Sequence, residues 1–144
     1  QKLVDSYKKR LDTCREKSDK IQNKPKVYFE EWDDPTFSGI RWVSELIEIA
    51  GGEDIFSNKS HGKLAMEREI QWSDVVEKNP DIILASWCGK PVDIDSIKER
   101  KGWDQISAIK NNRIHEIDSS IILQPGPASL TDGLSVLERL IREQ

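Results

Sequence analysis

The amino-acid sequence predicts an α/β fold: a short, mostly parallel sheet flanked by helices and preceded by one long amphipathic helix. Two observations support this. Short apolar runs suited to buried strands occur at residues 27–29 and 82–85, and residues 113–117 alternate between polar and apolar side chains as a strand does. The segments between these runs have helical periodicity or helix-capping residues. Strands that alternate with helices typically form a parallel sheet with right-handed crossovers, covered by helices on both faces.

The first segment predicts a long amphipathic helix. Its apolar residues recur at spacings of three and four, and charged residues occupy the other faces. The stripe consists of Val4, Tyr7, Leu11, Cys14 and Ile21. Residues 23–25 end the helix, because a proline restricts the residue before it to extended backbone. The apolar stripe of this helix, predicted over residues 1–24, needs cover from the body of the chain or from a second copy.

The second and third helices are predicted from periodicity and from capping residues. Helical spacing resumes near Ser38 and ends at Gly51 and Gly52. Glycine stops a helix there because it readily adopts a left-handed conformation. Ser73 is a candidate N-cap for a short helix over residues 73–78, which precedes the second strand.

The second half of the chain continues the alternation. Helical segments are predicted at residues 93–100 and 103–109, before the third strand. A closing helix follows from the stripe Leu130, Leu134, Leu137 and Ile141. There is no internal repeat and no low-complexity segment in the sequence.

Composition limits the size and the class of the protein. The chain has 144 residues, 36% hydrophobic and 33% charged, so one domain with one ordinary core is expected. The net charge of −4, with no long basic block, excludes nucleic acid as an expected partner.

Cys14 and Cys88 fit neither a zinc spacing nor a disulfide framework. No stretch approaches the roughly 18 apolar residues of a membrane span. The chain begins with Gln1 inside a helical pattern, so we expect a piece of a longer protein.

Three loops follow the carboxyl ends of the predicted strands: EEWDDPTF, SWCGKPVD and SSIILQPGPA. In an open α/β sheet, ligands bind beyond this edge, where the loops converge. The first two loops place Trp32 and Trp87 directly after a strand, and the third places residues 121–123 outside any helical stripe. This apolar surface predicts a site for a large, partly apolar ligand.

Several motifs, taken together and in order, resemble one protein family. They are EEWDDP, SELIEIAGGEDIF, NPDIILASWCGKP, KGWDQISAIKNNRIHEIDSS and LQPGPASLTDGL. Residues 24–144 resemble the C-terminal lobe of periplasmic-binding-protein-like proteins with a helical backbone, and most of all the cobalamin-binding proteins that serve ABC importers. The resemblance implies a single three-layer lobe, with residues 1–24 as the connector (backbone) helix and residues 25–144 as the C-terminal α/β ligand-binding lobe.

The resemblance also implies which residues contact the ligand. The implied wall consists of Trp32 and Asp33 from the first loop, Trp87, Cys88 and Gly89 from the second, and Ile122, Leu123 and Gln124 from the third. Each lobe of the family also carries an acidic residue at the start of a helix, which pairs with arginines of the membrane permease. The matching residue is Asp74 in QWSDVV, although Ser73 stands directly after the tryptophan, where the family often has the acid.

The function implied by the resemblance is the binding of a corrinoid such as cobalamin and its delivery to the permease of an ABC importer, without catalysis. Haem or an iron-siderophore is the alternative ligand for the same fold. An N-terminal lobe would complete the ligand cleft, and the location would be extracytoplasmic, either in the periplasm or anchored at the cell surface. An isolated lobe could also pair as a homodimer.

Two other classes of function stay open: a chelatase-like enzyme that acts on a metal tetrapyrrole, and a protein-interaction module that buries Trp32 and Trp87 against a protein. An enzyme needs a thiolate or histidine at the cleft. His61 lies in a polar loop and His115 in a predicted strand, so Cys88 is interpreted as a pocket lip or a packing residue. Four acidic residues near the first strand are interpreted as a hydrogen-bonding or solvated rim rather than an acid/base pair or a metal site. They are Glu30, Glu31, Asp33 and Asp34.

Overall fold

The computed structural model describes residues 2–123 and 129–142 of the chain. Within these residues the strands are β1 (Lys26–Asp33), β2 (Thr36–Ser38), β3 (Glu53–Asp54), β4 (Ile82–Ala85) and β5 (Ile114–Glu116). The α-helices are α1 (Lys2–Asp19), α2 (Arg41–Ile49), α3 (Trp72–Lys78), α4 (Ile94–Lys98), α5 (Ser107–Lys110), α6 (Ser119–Ile122) and α7 (Leu134–Arg142). Short 3-10 turns occur at Ala65–Arg68 and Trp103–Gln105, and a π-helical turn at Ser129–Gly133 precedes α7.

The sheet is mostly parallel, which confirms the sequence prediction. Its strand order is β2-β1-β4-β5, and β3 also pairs with β1. β3 and β4 run parallel to β1, and β5 runs parallel to β4. β2 runs antiparallel to β1, with which it forms a hairpin. The carboxyl ends of β1, β4 and β5 therefore meet at one edge of the sheet.

Alternate residues of the central strands face opposite sides of the sheet and build two cores. Val27 and Phe29 pack with residues of α1, α2 and α7 in the first core cluster. Tyr28 and Ile83 pack with residues of α3, α4 and α5 in the second core cluster. Helices thus cover both faces of the sheet, in the three-layer arrangement that the sequence predicts.

α1 is shorter than predicted and packs on the body of the chain. It ends at Asp19 rather than at residue 24. Cys14 is fully buried, and its Sγ donates a hydrogen bond to the carbonyl oxygen of Ile49 at 3.2 Å. Val4, near the start of the helix, is 65% exposed. The body of the chain therefore covers the second half of the apolar stripe.

The segment EEWDDPTF is not the loop that the sequence predicts. β1 continues to Asp33 and turns back into β2, so that Trp32 pairs with Phe37 and Asp33 pairs with Thr36. Aromatic and β-branched residues favour strands, and an Asp-Pro pair at the tip favours a turn. These local preferences extend the strand past the acidic residues.

Two further predicted boundaries are wrong. Gln71, not Ser73, is the N-cap of α3, because Asp74 at the third helical position accepts a hydrogen bond from the Gln71 backbone N–H at 3.2 Å and completes a capping box. The segment predicted as the third loop begins with α6, whose N-cap is Asp118. Ile122, at the end of α6, is fully buried in the first core cluster.

A buried ion pair lies within the second core cluster. Glu30 is 0% exposed, and Arg100 donates to both of its carboxylate oxygens, at 2.6 and 3.0 Å. Tyr28 Oη donates to Glu30 Oε1 at 2.8 Å, and Trp87 Nε1 donates to Glu30 Oε2 at 2.9 Å. Glu30 is therefore not part of a solvated rim, because its position on β1 faces the core and a partner that is distant in sequence neutralises it.

Loss of the buried ion pair should destabilise the fold strongly. We expect Glu30→Gln to lower the free energy of unfolding by about 3 to 5 kcal/mol, because Arg100 then stays buried without a counter-charge. Urea unfolding followed by far-UV circular dichroism measures this. The control is Arg41→Met, which breaks the exposed Arg41–Glu45 pair of α2 and should cost less than about 0.5 kcal/mol. Equal effects of the two substitutions would contradict the structural role of Glu30.

The stability of the protein should also depend on the protonation of His115 on β5. Burial, followed by the charges of Arg113 and Arg139, lowers the pKa of His115 below its usual value. The unfolded chain therefore takes up a proton as the pH falls through about 6.5 while the native state resists it, so stability is lost below that pH. Urea unfolding at pH 7.5 and 5.5 should show a smaller loss for His115→Gln than for the unsubstituted chain. His61→Gln, in an exposed loop position, is the control. An unchanged pH dependence in His115→Gln would count against this explanation.

Candidate functional site

The carboxyl edge of the sheet carries an open concavity of about 470 Å3. It lies where the chain leaves β4 and β5, at the edge that the sequence predicts for ligand binding. The lining residues are Trp87, Gly89, Lys90, Pro91, Glu116, Ile117, Asp118 and Ser119. Most of these residues are polar or lie in turns, and Trp87 is only 4% exposed, so the lining of the concavity is mostly polar.

Trp32 and Trp87 are neighbours on the same face of the sheet. Trp87 belongs to the second core cluster and Trp32 packs against the same cluster, so both indoles lie on one side of the sheet. The ammonium of Lys90 contacts both rings, which places the two indoles beside each other. Trp32 is half-buried, whereas Trp87 is only 4% exposed and is held by its hydrogen bond to Glu30. We call these two side chains the indole wall.

The segment after β4 is a tight turn that returns the chain to the indole wall. Gly89 has a φ of +82°, which glycine adopts without strain, and its position leaves Cys88 exposed. Lys90 Nζ lies 4.7 Å from the ring centroid of Trp32 and 4.9 Å from that of Trp87. Sequence reasoning missed Lys90. The signal that could have found it is the glycine, which allows a lysine three positions after a tryptophan to fold back over the ring.

The third predicted segment contributes less surface than expected. Ile122 is buried in the core, and Leu123 is half-buried and packs against the same cluster. Gln124 lies outside the described residues. The exposed part of this segment is instead its start, where Asp118 caps α6 by accepting a hydrogen bond from the Ser120 backbone N–H at 2.8 Å.

The acidic residues near the end of β1 do not act as one group. Glu31 is half-buried and pairs with Arg68 at 3.0 Å, while Asp33 pairs with Lys90. Burial raises the pKa of Glu31, and the charge of Arg68 opposes that shift. Within residues 2–123 and 129–142, three or more histidine, cysteine or acidic side chains nowhere gather in a group that could hold a metal ion.

The start of α3 is joined to the same edge. Trp72 Nε1 donates to Thr36 Oγ1 at 2.8 Å, and that hydroxyl donates to the carbonyl oxygen of Asp33 at 2.6 Å. The ring centroid of Trp72 also lies 4.8 Å from the Arg100 guanidinium. α3, which carries half-buried Asp74 in its capping box, is therefore held against the β1–β2 hairpin and against the buried ion pair.

The chain is similar to known proteins over most of its length but to only part of theirs. An uncharacterized ABC transporter substrate-binding lipoprotein of Bacillus subtilis, YvrC, is 27% identical over 150 residues, which cover 96% of this chain and 43% of that protein. A vitamin B12-binding protein of Vibrio vulnificus is 28% identical over 129 residues, covering 86% of this chain and 43% of that protein. The chain thus spans less than half the length of these curated relatives.

Solved structures share the fold. An ABC transporter substrate-binding protein from Listeria monocytogenes has a TM-score of 0.80 and 20% identity, over 99% of this chain and 57% of that chain. A possible iron-binding (periplasmic solute-binding) protein from Staphylococcus epidermidis has a TM-score of 0.80 and 26% identity, over 99% and 54%. The Staphylococcus aureus protein IsdE complexed with heme has a TM-score of 0.76 and 20% identity, over 99% and 57%.

Among the described residues, no helix combines the length and the apolar character that a membrane crossing requires.

The family assignment follows from the extent of the match. The family described as periplasmic binding protein matches residues 1–121, well over half of the sequence. The chain therefore belongs to the periplasmic binding protein family.

Proposed function

We propose that this chain forms one lobe of the substrate-binding component of an ABC importer, and that its carboxyl edge binds a corrinoid such as cobalamin. The observation that carries the proposal is the indole wall, since Trp32 and Trp87 lie side by side beneath Lys90 at the carboxyl edge of the sheet. One large apolar side chain buried against a ligand contributes about 1.5 to 3 kcal/mol. The half-buried ring of Trp32, beside the almost fully buried Trp87, therefore suits a broad, partly apolar ligand.

The choice of ligand is supported by the ligands that similar proteins bind. Several curated relatives are vitamin B12-binding proteins, with 22% to 28% identity. Haem or an iron-siderophore is the second candidate, because one solved protein of the same fold is complexed with heme and another is described as an Fe3+-hydroxamate transport system. The indole wall offers dispersion contacts to either kind of ligand, and the titration below distinguishes them.

The ligand surface that we propose is smaller than the wall implied by the sequence. Its exposed rim is formed by Asp33, Cys88 and Gly89 beside the indole wall. Ile122 and Leu123 contribute less to the proposed surface, since the first is buried and the second half-buried against the first core cluster. Gln124 remains part of the proposal as a predicted contact only.

One lobe supplies one side of a cleft, so ligand affinity should depend on a second lobe. We propose that residues 25–144 form this lobe and that the helix at residues 1–24 connects it to an N-terminal lobe. The protein would act outside the cytoplasm and would transfer its ligand without a catalytic step. Association of two copies through the exposed edge is the alternative for the chain alone.

Asp74 is the proposed contact with the permease. Its carboxylate also stabilises α3 through the capping box, so a substitution there tests two roles at once. A carboxylate at a helix start is favoured by the partial positive charge of the helix terminus. The part of the Asp74 side chain that stays accessible would pair with arginines of the permease.

Corrinoid binding should be lost when the indole wall is removed. We join this chain to the N-terminal lobe of the Bacillus subtilis relative and titrate cobalamin, cobinamide and haem, following tryptophan fluorescence. Trp32→Ala should weaken corrinoid binding at least about ten-fold, because 1.4 kcal/mol of lost contact corresponds to a factor of ten. Trp87→Phe should weaken it less, since a ring is retained.

The control for this titration is Trp42→Phe, which removes an indole on the opposite side of the sheet, beside the first core cluster. It should leave the affinity unchanged. If haem binds and corrinoid does not, the second candidate replaces the first. If none of the three binds, the importer proposal loses its support, and the chelatase-like and interaction-module alternatives move ahead.

Docking should depend on the charge of Asp74. Asp74→Asn keeps a hydrogen-bond acceptor at the capping position and removes the charge, so the fold should be retained while association with the purified importer slows at least about three-fold at low salt. Surface plasmon resonance measures the rate, and thermal melting checks the fold. Glu77→Gln, an exposed position on the same helix, is the control. Equal rates for the two variants would remove Asp74 from the docking proposal.

A further inference from the structure

Lys90 contacts groups from two neighbouring strands at once. Its Nζ lies 4.7 Å from the Trp32 ring centroid and 4.9 Å from the Trp87 ring centroid. The same atom lies 3.0 Å from Asp33 Oδ2, so the ammonium is enclosed by two aromatic rings and one carboxylate. A cation placed over an indole ring is attracted by the negative electrostatic potential that the ring quadrupole creates at the ring face.

The turn after β4 is built to deliver this lysine. The Lys90 backbone N–H donates to the carbonyl oxygen of Trp87 at 3.4 Å, which closes a four-residue turn. Gly89, at the third position of that turn, has the positive φ that a type II turn requires. A Cβ at Gly89 would meet no atom within 4 Å, so the glycine serves the backbone conformation rather than a close contact. The conformation returns Lys90 across the ring of Trp87.

The two indoles are supported unequally without Lys90. Trp87 is almost fully buried, and its Nε1 is fixed by Glu30. Trp32 is half-buried near the end of β1, next to Asp33 and just before the turn of the β1–β2 hairpin. Lys90 binds the residue after Trp32 and lies on the rings of both tryptophans, so it ties the less supported indole to the well supported one.

We propose that Lys90 is a positioning residue of the indole wall. Its ammonium sets the placement of Trp32 relative to Trp87 and thereby raises ligand affinity by preorganising the surface. Preorganisation strengthens binding because the ligand does not have to order the side chains that receive it. The inference deepens the proposed function, since it assumes that the indole wall faces the ligand.

The Lys90 contact should be sensitive to salt as well as to substitution. The Lys90 side chain is 41% exposed and that of Asp33 is 26% exposed, so solvent ions reach the pair. Screening at 1 M salt reduces the attraction between exposed charges to a range of about 3 Å. High salt should therefore reproduce part of the effect of removing the charge.

The test uses indole N–H signals, which need no ligand. The chain has five tryptophans, and single Trp→Phe variants assign their signals in a 1H–15N spectrum. Lys90→Met keeps the length and apolar stem of the side chain but removes the charge. It should shift the Trp32 signal most and the Trp87 signal less, and leave Trp42 in place. Lys90→Arg should restore both signals, since a guanidinium also stacks on indoles and binds carboxylates.

The second readout is corrinoid affinity in the two-lobed protein described above. Lys90→Met should weaken binding about five-fold, since an exposed cation–π contact corresponds to a factor of about two to five and two are lost. Lys90→Arg should stay within about two-fold of the unsubstituted protein. The matched control is Lys78→Met, which removes an ammonium 5.6 Å from the Phe56 ring and should change neither readout.

The two readouts separate failure of this inference from failure of the proposed function. Unchanged Trp32 and Trp87 signals in Lys90→Met overturn the positioning role, whatever the ligand does. Shifted signals with unchanged corrinoid affinity overturn the claim that positioning serves binding. If the unsubstituted two-lobed protein binds none of cobalamin, cobinamide and haem, the proposed function fails, and the indole signals alone still decide whether Lys90 positions the indole wall.

Discussion

The buried pair of Glu30 and Arg100 is the constraint on which the carboxyl edge of the sheet depends. Neither charge is tolerated in the core without the other, because removing one partner leaves an uncompensated charge in a medium of low polarity. The remaining hydrogen-bonding capacity of Glu30 is used by Tyr28 and Trp87. Burial, followed by the negative charge of Glu30, raises the pKa of Tyr28 well above its usual value, which keeps its hydroxyl as a donor. The pair thus holds the strand ends and the segment after α4 in one fixed arrangement.

Two surfaces of the molecule share this support. The Arg100 guanidinium lies 4.8 and 4.6 Å from the ring centroids of Trp72 and Trp103, which connects it to the start of α3. On the other side, Glu30 holds the indole of Trp87 at the carboxyl edge of the sheet. The surfaces that the proposed function assigns to the permease and to the ligand are therefore attached to the same buried group.

The opposite face of the sheet is closed by the helices at the two ends of the described chain. Arg142 donates to the carbonyl oxygens of Ala50 and Cys14, at 2.7 and 3.2 Å, so α7 joins α2 to α1. Arg10 of α1 also pairs with Glu138 of α7. Burial is the largest cause of the raised pKa of the Cys14 thiol, which favours its neutral form. The second half of α1 is thus integral to the lobe, while its first turns remain exposed.

The sequence by itself determined the parallel α/β order, the first helix and the edge at which the carboxyl ends of the strands meet, because apolar periodicity and strand–helix alternation are local patterns. It also identified Trp32 and Trp87 as neighbours of that edge. Only the tertiary structure decided that Glu30 is buried and that Lys90 lies on the indole wall. The partners of these charges lie 70 and 57 positions away in the chain, so no local sequence pattern predicts these contacts. The burial of Ile122 was decided in the same way, since packing against distant helices, and not its place after a strand, determines which side of α6 meets solvent.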